Sequence, residues 1–413
     1  MRHHDRRTIL AGGASLAAAG ALGIGRASAQ PKEIKIALIV AQTGPWASLG
    51  GMERAGAEMA VEDINARGGV KALGGAKLRL IITDAGDSAE RAKNAAQRLV
   101  AQESDLVAGL GAGLSFLSLA VTEVWERERI PWLTLSYADS VTNRGFKYLI
   151  ASSATSSRIA RETMPSYVGL VERAIKRRPA TIGMVADSQP ATQAYIEELR
   201  KGGLAAVGLK IAVDETFTPV LSDATGIIQR VRRARPDFLL LYTSNVPDTK
   251  LIIEKMDEFG IGRGKIPVLA PGSQVGAPEM LDNIAKESLE GIVCTASNWG
   301  SRKQNDIVES LKKRSRQPWT TQEILSSYGH VMLIHDALER AKSADRDALM
   351  AALRSTDTSD PQGPAKFFLG ERLRFDETGR RMDAPVAVMQ WQDGVPVTVG
   401  PPGDALAELR WSS

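Results

Sequence analysis

From Lys32 to Ala270 the chain alternates short, continuously apolar segments with longer segments of helical periodicity, and few folds accept that pattern. Residues 34–40 read as a strand and 51–66 as a helix. Residues 78–83 read as a strand, followed by a helix from Asp87 to about Gln102. Asp87 and Glu90, three residues apart, form a capping box that opens that helix. Strands at 105–110 and 131–135 flank a helix at 117–128. A half-exposed strand would alternate polar and apolar residues. Strands apolar throughout are buried on both faces, so the expected arrangement is a parallel sheet covered by helices on each side.

The pattern then restarts. Helices at 158–176, 191–201, 224–234 and 249–259 interleave with strands at 181–186, 210–216, 238–242 and 267–270. Two such series imply two lobes of similar architecture, and 413 residues suffice for two or three domain-sized units. Three further helices follow at 305–316, 323–341 and 345–353, then a polar loop at 355–364. The close is β-rich, with strands at 373–376 and 384–392 and a hairpin turn at Asp393-Gly394. Residues 403–413 read as a tail or a short helix.

Residues 1–29 read as an export signal rather than as part of the fold. Arg6-Arg7 is a twin arginine, residues 11–24 are apolar but short for a bilayer, and Ala27-Ser28-Ala29 is a small-x-small cleavage site. The expected mature chain begins at Gln30 and is periplasmic, without stable membrane insertion. The leader holds four arginines against one aspartate, so of a formal net charge of +4 about +1 remains for the rest. That balance gives no basis for nucleic-acid binding.

Chemistry at a metal or nucleophile is poorly supported. Cys294 is the only cysteine and sits in an apolar strand pattern, as a buried, inert thiol would. Outside the leader only His330 and His335 remain, five apart, which does not place both on one helix face. The run Gly109-Leu110-Gly111-Ala112-Gly113-Leu114 lacks the third glycine of a dinucleotide fingerprint and is not in the first strand–helix unit. No catalytic residue, metal or cofactor is expected, and the chain does not read as an enzyme.

Ordered blocks along the chain carry a resemblance. They are Thr43-Gly44-Pro45 with Gly50, Asp63-Ile64-Asn65 with Gly68-Gly69, and the strand end from Asp84 to Asp87. Then come Ser115 with Ser118, Ile130-Pro131, and Thr142-Asn143-Arg144-Gly145-Phe146. Phe375-Asp376-Glu377-Thr378-Gly379 and Gln390-Trp391-Gln392-Asp393-Gly394 complete the set. In order and spacing, over about residues 32–400, the chain resembles the leucine/isoleucine/valine-type substrate-binding proteins of ABC importers. The resemblance implies an α/β fold of two Rossmann-like lobes joined by three chain crossings, the type I periplasmic binding protein architecture. It implies crossings near Ile150-Ala151, Thr295–Ser297 and Gly363-Pro364. The lobes would be 30–150 with 297–363, and 151–296 with 364–402, leaving 403–413 as a tail. The partners implied are a small ligand held between the lobes and a membrane permease, with the protein a monomer. A soluble periplasmic sensor acting on a regulatory partner is the alternative with the same fold.

The resemblance also implies a ligand site. A first-lobe carboxylate site would use Ser115, at a helix start, and Ser136-Tyr137-Ala138. Ser115 could equally be an ordinary N-cap, and Tyr137 a surface turn residue. Trp46 or Leu49 would form an apolar wall, unless Trp46 packs on its own loop. The second lobe departs from the amino-acid binders, with Ala191 where they carry tyrosine and Gly272-Ser273 where they carry an acid. Gln189, Asn245 and Ser273 could offer neutral hydrogen bonds, and Asp139, Asp187 or Asp248 could accept from an ammonium. The expected ligand bears a carboxylate or an amide, either an amino acid or an analogue such as an aromatic acid.

Overall fold

In the computed structural model, residues 32–282 and 284–411 are described; the leader and its expected cleavage after Ala29 lie outside them. The first strand series folds into a five-stranded sheet. It contains β1 (Glu33–Val40), β2 (Lys77–Asp84), β3 (Leu106–Gly111), β4 (Trp132–Thr134) and β5 (Leu149–Ala151). All pairs are parallel, in the order β2-β1-β3-β4-β5. Helices α1 (Ala47–Ala66), α2 (Ala89–Gln102), α3 (Ser115–Arg127) and the single turn α4 (Asp139–Thr142) connect the strands.

Two local readings shift. The first helix starts at Ala47 rather than 51, because the Gly50-Gly51 pair lies inside it. A Cβ on Gly50 would fall 1.8 Å from the Ala41 carbonyl oxygen, so glycine there lets the helix start abut the end of β1. The cap of α2 is Ser88, whose hydroxyl accepts from Arg91 N at 3.2 Å; Asp87 instead pairs with the Arg91 guanidinium.

The second series holds α5 (Ser156–Ile175), β6 (Thr181–Asp187), α6 (Pro190–Glu198), α7 (Leu204–Ala206), β7 (Lys210–Phe217) and α8 (Thr225–Ala234). It continues with β8 (Phe238–Tyr242), α9 (Val246–Glu258), β9 (Val268–Pro271), α10 (Lys286–Leu289) and β10 (Val293–Ala296). Strands β6 to β10 pair with one another in parallel. The chain then leaves this sheet for α11 (Asn305–Ser315), α12 (Gln322–Ala341) and α13 (Arg346–Arg354). The next strands are the short antiparallel pair β11 (Asp357–Thr358) and β12 (Leu373–Arg374). A hairpin of β13 (Ala387–Gln392) and β14 (Val395–Gly400) completes a seven-stranded sheet, β14-β13-β10-β9-β8-β6-β7. Asp393 and Gly394, both with positive φ, make its two-residue turn.

Helix α12 belongs with the first lobe. It lies along α1, and at Gly56 the two are so close that a Cβ would meet the Ile324 carbonyl oxygen at 2.2 Å. The 3-10 turn Pro364–Phe367 packs against α12 as well. The chain therefore enters the second sheet only at Ala387, after Arg380 and Arg381 have run beside Ala151, rather than near Gly363-Pro364 as expected. Residues 403–411 are neither free nor helical. Leu406 and Ala407 donate to Thr398 O, and Arg410 exchanges hydrogen bonds with the Gln390 amide.

Candidate functional site

In open parallel sheets, ligands sit beyond the carboxyl ends of the strands, where strand order reverses. Here β1 stands between β2 and β3, and β6 between β7 and β8. One cavity collects residues that follow these strands in both lobes, and encloses about 600 Å³ of empty space, part of it open to solvent. From the first lobe come Leu49 on α1, Leu114-Ser115-Phe116 at the start of α3, and Leu135 and Tyr137 after β4. From the second come Gln189 and Ala191 after β6, Tyr242-Thr243-Ser244 after β8, and Gly272-Ser273-Gln274 after β9.

The residues expected at a site divide into three groups. Leu49, Ser115, Tyr137, Gln189, Gly272 and Ser273 line the cavity. Trp46, Ser136 and Ala138 stand behind it. Trp46 packs its ring on Phe116 at 5.0 Å and donates from Nε1 to Ser244 Oγ at 3.4 Å, a bridge between the lobes. Ser136 Oγ and Ala138 N both donate to Ser115 Oγ, at 2.8 and 3.1 Å. Ser115 is therefore not the N-cap of α3. It is the first helical residue, after Leu114, and its hydroxyl ties the Ser136–Ala138 loop to the helix start. Asn245 does not reach the cavity. It is the N-cap of α9, accepting from Asp248 N at 2.7 Å and donating to the Asp248 carboxylate.

None of the three aspartates considered for an ammonium lines the cavity, and each has a partner elsewhere, although the buried Oδ2 of Asp187 has none among the described residues. Asp139 accepts from Ser157, Asp187 from Gln189 N at 3.0 Å, and Asp248 from Leu221 N at 2.7 Å. Tyr137 is no surface turn residue. It is half-buried; its hydroxyl donates to Gln322 Oε1 and accepts from Ser297 N at 2.9 Å, and desolvation of that hydroxyl pushes its ionisation up to about 12. Tyr137 thus remains a neutral hydrogen-bonding wall.

Two acids in the cavity went unread in the sequence, Glu53 on α1 and Glu323 at the second position of α12. Burial raises both, Glu53 to about 8, with the neighbouring Glu323 adding to the rise and the Gly113 N–H opposing it. Glu323 Oε1 accepts from Ser273 Oγ at 2.5 Å, and Gln322 Nε2 donates to the same hydroxyl at 3.1 Å, so the start of α12 crosses to the second lobe. Gly113 makes room for the first acid, since a Cβ there would lie 2.6 Å from Glu53 Oε1. A signal existed for Glu53: Leu49, Glu53, Gly56, Ala57 and Ala60 fall at helical spacing on the buried stripe of α1. Glu323 opens a run in which nearly every residue to Val331 is buried.

Beyond the cleft, Cys294 is buried in β10 and its thiol is pushed up to about 12 by burial. His330 is buried with Nε2 at 2.8 Å from Ser152 Oγ, and burial lowers it to about 3, so it stays neutral. Among the described residues no cluster of three or more His, Cys, Asp or Glu could hold a metal ion. Nor is any helix there long and apolar enough to cross a membrane.

Two α/β lobes with a cavity built from the strand ends of both define a two-lobed ligand-binding protein. Residues 33–395 match the model of the periplasmic binding protein family, and the chain belongs to that family. It is 27% identical to Leu/Ile/Val-binding protein homolog 7 of Brucella suis over 92% of this chain and 94% of that one. Among solved structures, it is similar to a leucine binding protein of Thermotoga maritima (TM-score 0.75, 21% identity, 89% and 98% of the two chains). It is also similar to an ABC-transporter solute binding protein of R. palustris in complex with benzoate (TM-score 0.74, 16% identity, 91% and 98%).

Proposed function

We propose that this protein is the substrate-binding component of an ABC importer, capturing a small ligand that bears a carboxylate or an amide and delivering it to a membrane permease. The observation that carries this reading is the cavity lined from both lobes, with α3 opening onto it. The first N–H groups of a helix have no partners within it and favour negative charge, and Ser115 at that start adds a hydroxyl. Leu49, Leu114, Phe116 and Leu135 supply an apolar wall for the ligand body. Ligand bridging two lobes shifts the population toward the closed form, the state a permease can distinguish.

The site residues of this reading are Leu49, Ser115, Tyr137, Gln189, Gly272 and Ser273, supported by Trp46, Ser136 and Ala138 behind them. The mature chain works in the periplasm after cleavage behind Ala29, as a monomer. The ABC-transporter solute binding protein among its structural relatives favours transport over a sensing role. Native mass spectrometry of protein isolated from an exporting host tests the reading. A co-purified small molecule whose removal expands the particle in small-angle X-ray scattering supports it. Particle dimensions unchanged by every amino acid, organic acid and amide offered would sink it.

A further inference from the structure

The cavity is more acidic than a site for a plain carboxylate should be. Glu53 and Glu323 are only 4% and 3% exposed, and both face the same space. Each carboxyl has one oxygen engaged, toward the Gly113 N–H and the Ser273 hydroxyl respectively. In each, Oε2 is buried and has no hydrogen-bond partner among the described residues. A buried carboxylate oxygen left unpartnered is costly, so two lining one cavity call for a group that supplies donors. Among the described residues no lysine, arginine or histidine lines the cavity; its other titratable side chains are Tyr137 and Tyr242, both neutral.

A ligand that is only an anion would meet two acids and no base. A cationic nitrogen would satisfy both free oxygens and offset the charge they carry when ionised. The two acids come from α1 and α12, elements that share the first lobe, and Ser273 draws Glu323 toward the second. The acid missing from the sequence beside Gly272 is therefore supplied in space by another helix.

We infer that the Glu53–Glu323 pair recognises a cationic nitrogen of the ligand, an ammonium or an amidinium, whose apolar body rests on Leu49, Leu114, Phe116 and Leu135. The inference rests on the binding-protein reading and narrows its ligand class. A molecule with a carboxylate as well would place it at the start of α3, leaving the nitrogen to the acid pair.

Calorimetry and thermal shift with matched probes test it on the full mature chain. The pairs are leucine and 4-methylpentanoate, phenylalanine and 3-phenylpropanoate, and benzamidine and benzamide. Within each pair only one member carries the charged nitrogen. The expected result is that the charged member of at least one pair binds ten-fold or more tightly than its partner. Glu53→Gln and Glu323→Gln, each checked for native circular dichroism, should then each lose at least ten-fold for that member. If one Gln variant fails to fold, the other and the matched-pair ratio still decide. Equal or tighter binding of the uncharged-nitrogen or deaminated partners, undiminished in the Gln variants, overturns the inference and leaves the binding-protein reading standing. Binding by no member of any pair overturns the inference, while compaction by any other small molecule in scattering would keep the binding-protein reading alive.

Discussion

Ser273 donates its hydroxyl to Glu323 Oε1 at 2.5 Å, joining the strand end of β9 to the start of α12 across the seam between the lobes. Hydrogen bonds to charged groups contribute about 1.5–3 kcal/mol, and the same bond lowers the otherwise raised ionisation of Glu323. Ser273→Ala should reduce unfolding free energy by about 1–2 kcal/mol at pH 8. Urea unfolding measures it, and a midpoint equal to wild type would mean that the seam contact is energetically idle.

Two glycines separate a cost to the fold from a cost to the site. At Gly56 an added Cβ meets a backbone carbonyl at 2.2 Å, and neither helix can yield without parting α1 from α12. At Gly113 it meets the far end of Glu53 at 2.6 Å, a side chain that can turn. Gly56→Ala should therefore lose more than about 2 kcal/mol of stability, as overpacked cores do. Gly113→Ala should lose under about 1 kcal/mol yet weaken binding of the best probe ligand ten-fold or more. Paired unfolding and calorimetry check the contrast; similar stability losses in both would refute it.

Arg380 holds the Ser136–Ala138 loop from behind. Its guanidinium is buried and donates to Ser136 O at 2.6 Å, Ala138 O at 3.0 Å, Ser153 Oγ at 3.1 Å and Thr142 Oγ1 at 3.2 Å. Burial lowers its ionisation to about 10. A lysine offers three donors from one point and cannot span this fan. Arg380→Lys should destabilise by about 1.5–3 kcal/mol, the range for lost hydrogen bonds to a charged group. It should also raise hydrogen exchange at Ala138 N. Stability within error of wild type would show that the fan is dispensable.

The architecture was legible because strand and helix periods differ and both series kept them cleanly from β1 to β9. What escaped depended on contacts distant in sequence. Glu53 sits between Met52 and Arg54, and by itself an acid on a helix reads as solvated; only α12 crossing at Gly56 encloses it. Asn245 was misread as a ligand contact although Asn-x-x-Asp directly after an apolar strand is a capping pattern, and the structure uses it so. The late third crossing was hidden because a Pro-Gly loop marks a turn but not which lobe it packs on.

The raised carboxyl of Glu53 makes stability depend on pH in a direction that can be worked out. Its ordinary value is 4.5 and its folded value about 8. Between these the folded state binds the proton more firmly than the unfolded state does. The slope of unfolding free energy with pH follows the protons bound unfolded minus those bound folded, and is negative here. The contribution of this group is present in full below about pH 4.5, falls by at most about 1.4 kcal/mol per pH unit, and is lost above about pH 8. Glu323, raised by the same burial, acts in the same direction. Glu53→Gln carries no proton to lose, so its stability advantage over wild type should widen from pH 5 to pH 8 and level off above. Urea unfolding of both proteins at pH 5, 6, 7, 8 and 9 decides the matter, and parallel curves would mean that Glu53 titrates normally and that the cavity is wetter than its burial implies.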